Sequence, residues 1–104
     1  MLYLMMDKTD KEYLVKVGFT DKNKPDARRK QYYSYNPRAI MRSTCAGNVS
    51  AEQACHLMLG TWGGIRIPGT EWFSVSKELF NAIYQKGMGA FRPELKRINF
   101  LEKF

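Results

Sequence analysis

Two segments near the N-terminus carry the hydrophobic pattern of β-strands. An apolar run covers Leu2 to Met6, and Tyr13 to Phe19 alternates with the period of a strand. The polar DKTDKE segment between them is typical of a turn. The pattern therefore predicts a β-hairpin, in a register that places Tyr3 opposite Lys16. In that register Tyr3, Lys16 and Gly18 share one face of the sheet.

A basic and aromatic helix is predicted after a polar loop at residues 21–24. Pro25 suits the first turn of a helix, and Asp26 favours the positive end of the helix dipole. The helix continues to about Tyr33 and ends before Asn36-Pro37, because the residue before a proline is pushed out of helical geometry. The following segment, Ala39 to Cys45, predicts a third strand.

Two further helices are predicted in the second half of the chain. Ser50 and Gln53 have the form of a capping box for a helix through about Leu59. Residues 62–70 form a glycine-rich connection, and residues 71–75 a short strand. Ser76 then caps a last helix, which Gly87 closes. The expected buried faces are Ala51, Ala54, Cys55 and Met58 in the first helix, and Leu79, Phe80, Ile83 and Tyr84 in the second.

These elements predict an α+β fold, with a three-stranded antiparallel sheet flanked by helices. A chain of 104 residues is long enough for one modest core but not for two. We therefore expect one domain over residues 1–104. Its core covers about residues 2–84, and a basic and aromatic tail covers residues 88–104, with a short helix from Pro93.

The charge balance favours an anionic partner. The formal net charge is +7, for which nucleic acid is the commonest partner and a membrane surface the next. No apolar run approaches the ~20 residues of a membrane-spanning helix, and the N-terminus lacks the features of a signal peptide. Cys45 and Cys55 have neither metal-ligand spacing nor a disulfide framework, so we expect both to be reduced and buried. This composition predicts a cytoplasmic protein without membrane contact.

Cations, tyrosines and a glycine lie together between Lys16 and Pro37, which is the chemistry that holds a phosphodiester. Arg28 and Tyr32 are spaced i, i+4 and would share one helix face, where the arginine can clamp two phosphate oxygens. The alternative is a solvated basic face formed by Arg28, Arg29 and Lys30. Gly18 either allows a ligand close to the backbone or marks a strand end.

Several titratable residues also have two interpretations. Tyr3 is either a core tyrosine or a proton acceptor, if a cation such as Lys16 lowers its pKa. Glu52 either holds Mg²⁺ or Mn²⁺ or complements the helix dipole. His56, one turn later, either supports that carboxylate or makes a helix-to-core hydrogen bond. Glu71 is either a polar residue at a strand start or an orienting partner for a basic side chain.

The order and spacing of these residues resemble the GIY-YIG nuclease superfamily, in particular its phage and bacterial orf-172-type branch. The resemblance covers about residues 2–84. The matching segments are Leu2-Tyr3-Leu4, Lys16-Val17-Gly18, Arg28 ahead of Asn36-Pro37, Ala51-Glu52 with His56, and Glu71-Trp72-Phe73.

This resemblance implies a small antiparallel sheet flanked by helices and hydrolysis of phosphodiesters with one Mg²⁺ or Mn²⁺ ion. It assigns Tyr3 as the general base and Glu52 as the metal ligand. Arg28 would stabilise charge on the phosphoryl oxygens, and Tyr32 matches a His/Tyr position one turn later.

Two positions depart from the family pattern, since Leu2 replaces the first-motif glycine and Lys16 the second-motif tyrosine. In this branch the lysine either assists Tyr3 or contacts the phosphate. The expected function is a small stand-alone DNA endonuclease. Its phosphate contacts would come from Arg28, Arg29, Lys30, Arg38 and Arg42.

Two other functions remain open. One is an inactive GIY-YIG-like module that binds nucleic acid or a protein. The other is an accessory or anti-defence protein of a phage or mobile element. For the nuclease, specificity would come from its own basic surface, from a protein partner or from homo-oligomerisation.

Overall fold

The structure, a computed structural model, describes residues 1–20 and 40–102, with side chains as far as residue 97. The predicted loop at residues 21–24 and the predicted helix from Pro25 to about Tyr33 lie outside these residues, as does its end at Asn36-Pro37. The same is true of five candidate site residues, Arg28, Arg29, Lys30, Tyr32 and Arg38.

The described residues form one antiparallel sheet of five strands. The strands are β1 (Leu2–Lys8), β2 (Tyr13–Phe19), β3 (Ile40–Cys45), β4 (Ile65–Arg66) and β5 (Trp72–Val75). Their order across the sheet is β3-β1-β2-β5-β4. The α+β class is confirmed, but the predicted number of three strands is wrong. The strand predicted at residues 71–75 joins the sheet as β5, beside β2. The short β4 lies in the glycine-rich connection, and two residues are too few to produce an alternating pattern.

The register between β1 and β2 differs by two residues from the predicted one. Tyr3 lies opposite Gly18, and Lys16 lies opposite Met5. The hairpin turn is tighter than expected, because the Thr9 N–H donates to the Glu12 carbonyl at 2.8 Å and β1 extends two residues further towards the turn than predicted. Side-chain direction repeats every two residues, so Tyr3, Lys16 and Gly18 still share one face.

Three α-helices follow within the described part of the chain: α1 (Val49–Thr61), α2 (Lys77–Lys86) and α3 (Arg92–Glu102). The predicted capping box at Ser50 is wrong, because Asn48 caps α1 and its side chain accepts the Ala51 N–H at 2.9 Å. Ser76 caps α2 as predicted, accepting the Leu79 N–H at 3.1 Å. Gly87 closes α2 with a positive φ of 58° and donates its N–H to the Ile83 carbonyl.

The main core lies between one face of the sheet and the helices. Cys55 and Met58 of α1 and Phe80 and Ile83 of α2 are buried as predicted. Tyr84 is 43% exposed, so its predicted burial is wrong. Four further residues that were predicted to be buried are only partly buried and pack against the core: Cys45, Ala51, Ala54 and Leu79. The other buried members are Leu2, Leu4, Met6, Val15, Val17, Leu59, Phe73, Val75, Met88, Phe91 and Leu95.

A smaller apolar cluster covers the opposite face of the sheet, where Tyr3 and Met5 pack with Met41 and Trp72. Lys16 emerges on this second face, because it is paired with Met5 on one side and Trp72 on the other. Of the helices described, none combines the length and apolarity needed to cross a bilayer.

Candidate active site

Tyr3 and Gly18 form the first part of the site. Tyr3 is 1% exposed, and its ring lies directly over Gly18 on the neighbouring strand. A Cβ on Gly18 would overlap Tyr3 Cζ and Oη and would lie 2.7 Å from Cε1. The missing side chain of Gly18 therefore makes room for the tyrosine ring. A contact of Gly18 with nucleic acid stays a prediction.

An ion pair joins Lys16 to the segment before β5. The distance from Lys16 Nζ to Glu71 Oε2 is 3.8 Å, and the two side chains are 8% and 42% exposed. The register sets this pair, because Lys16 lies opposite Trp72, the residue after Glu71. A buried ammonium group is costly without a partner. Glu71 is therefore the orienting partner of a basic side chain, one of its two predicted roles.

Helix α1 brings Glu52 and His56 to the edge of the sheet near this ion pair. Burial raises the pKa of the Glu52 carboxyl, and the negative charge of Glu71 raises it further. His56, Lys16 and Arg66 act in the opposite direction on the same pKa. Two carboxylates, two cations and one imidazole thus lie within electrostatic reach of one another.

His56 lies beside β2, just past the pair formed by Lys16 and Trp72, the first residue of β5. The pairing of β5 with β2 runs only from Tyr13 to Lys16, so the Val17 carbonyl lies beyond it. The distance from His56 Nε2 to this Val17 oxygen is 2.8 Å. Because a carbonyl only accepts, Nε2 carries the proton and donates it. This is the predicted helix-to-core hydrogen bond, and the His56 ring also lies 5.6 Å from the Phe73 ring.

Arg66 was missed by the sequence analysis. It lies on β4, where its Nε donates to the Thr70 carbonyl at 2.8 Å. With Lys16 and Glu71 it borders a cleft of about 610 Å³, which Gly69, Thr70 and Trp72 also line. The available signal was a cation inside the alternating segment IRI, just before Glu71.

Arg42 makes an intramolecular contact. Its Nε donates to the Tyr84 carbonyl in the last turn of α2 at 2.6 Å, and its Cζ lies 5.0 Å from the centroid of the Tyr84 ring. The contact ties β3 to α2. The predicted contact of Arg42 with nucleic acid stays a prediction.

The described side chains fit an open metal site rather than a closed one. In residues 1–20 and 40–97, no three His, Cys, Asp or Glu side chains are grouped so that they could enclose an ion. Mg²⁺ is commonly held by one or two carboxylates together with waters and substrate phosphates. The negative charge of Glu71 already raises the pKa of Glu52, and a bound cation would relieve this repulsion. Glu52 therefore fits a one-carboxylate site.

One comparison with known proteins identifies a family. The family model for the T5orf172 domain matches residues 1–86, from β1 through the end of α2. No curated protein and no solved structure matches the chain. The T5orf172 domain is related to the GIY-YIG, nuclease-like fold family. The match includes Tyr3, Lys16, Glu52, His56 and Glu71, and the chain therefore belongs to the T5orf172 domain family.

Proposed function

We propose that this protein is an endonuclease that hydrolyses DNA phosphodiester bonds with one divalent ion. The convergence of Lys16, Glu52, His56, Glu71 and Arg66 at one end of the sheet is the observation that carries the proposal. Cations for a phosphate and a carboxylate for Mg²⁺ or Mn²⁺ are the groups that such a reaction needs. The family match and the net charge of +7 support nucleic acid as the partner.

Lys16 is proposed to contact the phosphate or to assist Tyr3. The carboxylate of Glu71 compensates the charge of the largely buried Lys16 ammonium before substrate arrives. Tyr3 and Lys16 are diagonal neighbours on one face, since Tyr3 pairs with Gly18 and Lys16 lies two residues away on the same strand. To accept the proton of the attacking water, Tyr3 would first have to lose its own phenolic proton to solvent, and the neighbouring Lys16 ammonium would stabilise the resulting phenolate. Because Tyr3 is 1% exposed, the atoms around its side chain would have to move before the attacking water could reach its hydroxyl.

Glu52 is proposed to hold the ion, with Glu71 and His56 fixing its surroundings. A bound Mg²⁺ or Mn²⁺ supplies Lewis-acid stabilisation of charge on the phosphate. His56 anchors α1 to Val17 by its hydrogen bond of 2.8 Å, which fixes the position of Glu52 one turn earlier. His56 is thus proposed as a positioning residue rather than a proton carrier.

The proposal also includes residues that lie outside the described part of the chain. Arg28 would stabilise charge on the phosphoryl oxygens, and Tyr32, four residues later in the sequence, matches the His/Tyr position of the family. Arg29, Lys30 and Arg38 would bind neighbouring phosphates, so affinity should fall as salt concentration rises.

Cleavage assays test this proposal directly. The purified protein is incubated with supercoiled, linear and branched DNA and with RNA, in Mg²⁺, in Mn²⁺ and in EDTA. We expect DNA cleavage that requires the ion and is lost in Glu52→Gln and Arg28→Ala, with DNA binding retained in Arg28→Ala. Glu78→Gln, which removes an exposed carboxylate on α2, should cleave like the wild type. Intact DNA under all these conditions would overturn the proposal.

A second function is a binding module without cleavage. It is favoured by the 1% exposure of Tyr3, because a covered hydroxyl is poorly placed to accept a proton from water. In that case the wild type would bind DNA with strong salt dependence but leave it intact, and Arg28→Ala would only weaken binding.

A further inference from the structure

The cleft beside the β4–β5 hairpin lies next to the proposed metal site. The catalytic roles proposed above give no role to Arg66, one of the residues that line this cleft. We propose that it is a phosphate subsite, in which Arg66 and Lys16 hold a nucleic-acid phosphate that flanks the cut site. This inference rests on the proposed nucleic-acid substrate. It adds a specific binding residue, Arg66, and a place for the strand beyond the reacting phosphate.

The hairpin wall of the cleft is held by its own hydrogen bonds. The Ile67 N–H donates to the Trp72 carbonyl at 2.9 Å, and the Thr70 N–H donates to the Ile67 carbonyl at 3.1 Å. Pro68 and Gly69 occupy the central positions of this turn, and Gly69 has a positive φ of 76°. Proline followed by a glycine with positive φ is the arrangement of a type II turn. The wall is therefore preorganised for a ligand.

The Arg66 guanidinium is held on this wall through its Nε and one face. Its Nε donates to the Thr70 carbonyl at 2.8 Å, and its Cζ lies 5.9 Å from the centroid of the Phe73 ring. Among the described residues, these contacts hold the guanidinium through Nε and one flat face. The two terminal nitrogens carry four N–H groups in a planar fork, the geometry that binds phosphate oxygens.

Lys16 reaches the same cleft from the other face of the sheet. Lys16 is paired with Trp72 and Arg66 with Phe73, and successive residues of a strand point to opposite faces. Glu71 is the carboxylate among the residues that line the cleft, and it lies 3.8 Å from Lys16. An entering phosphate would meet Arg66 directly and compete with Glu71 for Lys16.

The subsite adjoins the proposed ion position. Lys16, which lines the cleft, precedes Val17, whose carbonyl accepts the 2.8 Å hydrogen bond from His56. His56 lies one turn after Glu52 in α1, so the cleft opens on the side of the sheet where that carboxylate lies. A nucleic-acid strand has a phosphate at every nucleotide, so a strand held at Glu52 presents further phosphates beside it. In the cleft, one of these phosphates would bind the terminal N–H groups of the Arg66 guanidinium.

Binding measured without metal tests the subsite separately from cleavage. The affinity of a short DNA duplex is measured in EDTA over a range of salt concentrations for wild type, Arg66→Ala, Arg66→Lys and Arg97→Ala. Arg97→Ala is the matched control, because it also removes one surface guanidinium, which in α3 is bonded to Glu94 instead of lining the cleft. We expect Arg66→Ala to weaken binding about tenfold and to reduce the salt slope by about 0.9, the loss of one phosphate contact. Arg66→Lys should keep most of the slope, and Arg97→Ala should bind like the wild type.

The outcomes separate this inference from the proposed function. If the wild type binds and cleaves DNA but Arg66→Ala matches Arg97→Ala, the subsite is wrong and the nuclease proposal stands. If the wild type binds without cleaving and Arg66→Ala alone weakens binding, the subsite stands and the nuclease proposal fails. For an active enzyme, Arg66→Ala should raise KM far more than it lowers kcat, because a flanking phosphate is held equally in ground and transition states. A loss confined to kcat would overturn the subsite.

Discussion

Tyr3 and Gly18 lie directly opposite each other on β1 and β2, and the tyrosine ring fills the volume that a side chain at Gly18 would need. Non-bonded carbon atoms pack at roughly 3.5–4 Å, whereas a Cβ on Gly18 would lie 2.7 Å from Tyr3 Cε1 and would overlap two further atoms. The position of the proposed general base therefore depends on a glycine of the neighbouring strand.

Gly18→Ala should displace Tyr3. We expect a loss of about 1–3 kcal/mol in the free energy of unfolding, the usual cost of overpacking, together with loss of cleavage. Urea denaturation measures the first effect and a DNA cleavage assay the second. The matched control is Gly60→Ala in α1, where an added Cβ meets nothing within 4 Å. This variant should be neutral or more stable by up to about 1 kcal/mol. Equal urea midpoints for the two variants would contradict the packing argument.

Ionisation of Glu52 should lower the free energy of unfolding at pH values above its raised pKa. Its pKa is raised in the folded protein by burial and by Glu71, so the folded state binds the proton more tightly than the unfolded state. Stability from this group is thus present at low pH and is lost as pH rises through the raised pKa. Glu52→Gln, which mimics the protonated form, should melt above the wild type at about pH 8 and match it at about pH 4. Thermal melts without metal check this, and Mg²⁺ should stabilise only the wild type.

Glu94 provides a control of opposite sign for the pH experiment. Hydrogen bonds from Arg97, including those from Nε at 3.0 and 2.9 Å, lower the pKa of this exposed carboxyl. Its contribution is therefore present above its ordinary pKa and is lost as pH falls through the lowered value. Glu94→Gln should melt at or slightly below the wild type at neutral pH and should match it in acid. A gain in both variants at neutral pH would show that removal of any carboxylate, and not the setting of Glu52, causes the effect.

The sequence predicted which face of the sheet each side chain lies on better than it predicted which residue lies opposite it on the neighbouring strand. The two-residue period placed Tyr3, Lys16 and Gly18 on one face, and this survives the error in register because a shift of two preserves every face. The register itself depended on how tightly Thr9 and Glu12 close the turn, which no hydrophobic pattern contains. Likewise, Asn48 and Ser50 are both good capping residues, and only the chain path decides between them.

Four residues of the candidate site were chosen from family motifs, and their roles stay predictions, whereas a fifth depends on tertiary contacts and was not chosen. Lys16, Glu52, His56 and Glu71 all came from motifs, and the structure brings them together. Arg66 joins them through the pairing of β4 with β5, and a strand of two residues is too short to be predicted.

The hydrogen bond from His56 to Val17 predicts a positioning role that can be separated from proton transfer. His56→Ala leaves the Val17 carbonyl without its donor and should cost about 1 kcal/mol in urea denaturation. His56→Gln retains an N–H donor and should recover most of that stability and most of the cleavage rate. A stable His56→Gln protein without cleavage would show instead that the imidazole takes part in the chemistry.

Variants of Arg42 can distinguish a structural role of this cation from a contact with nucleic acid. Its bond of 2.6 Å to the Tyr84 carbonyl and its position over the Tyr84 ring join β3 to the end of α2. Arg42→Ala should therefore lower the free energy of unfolding by about 1 kcal/mol. Arg42→Lys should be nearly as destabilising, because it keeps the charge but lacks Nε and the planar guanidinium. The predicted contact with nucleic acid is tested in the same variants: Arg42→Ala should also reduce the salt slope by about 0.9, and Arg42→Lys, which keeps the charge, should retain most of the slope. A wild-type slope in Arg42→Ala together with lost stability would show that the arginine acts in folding alone.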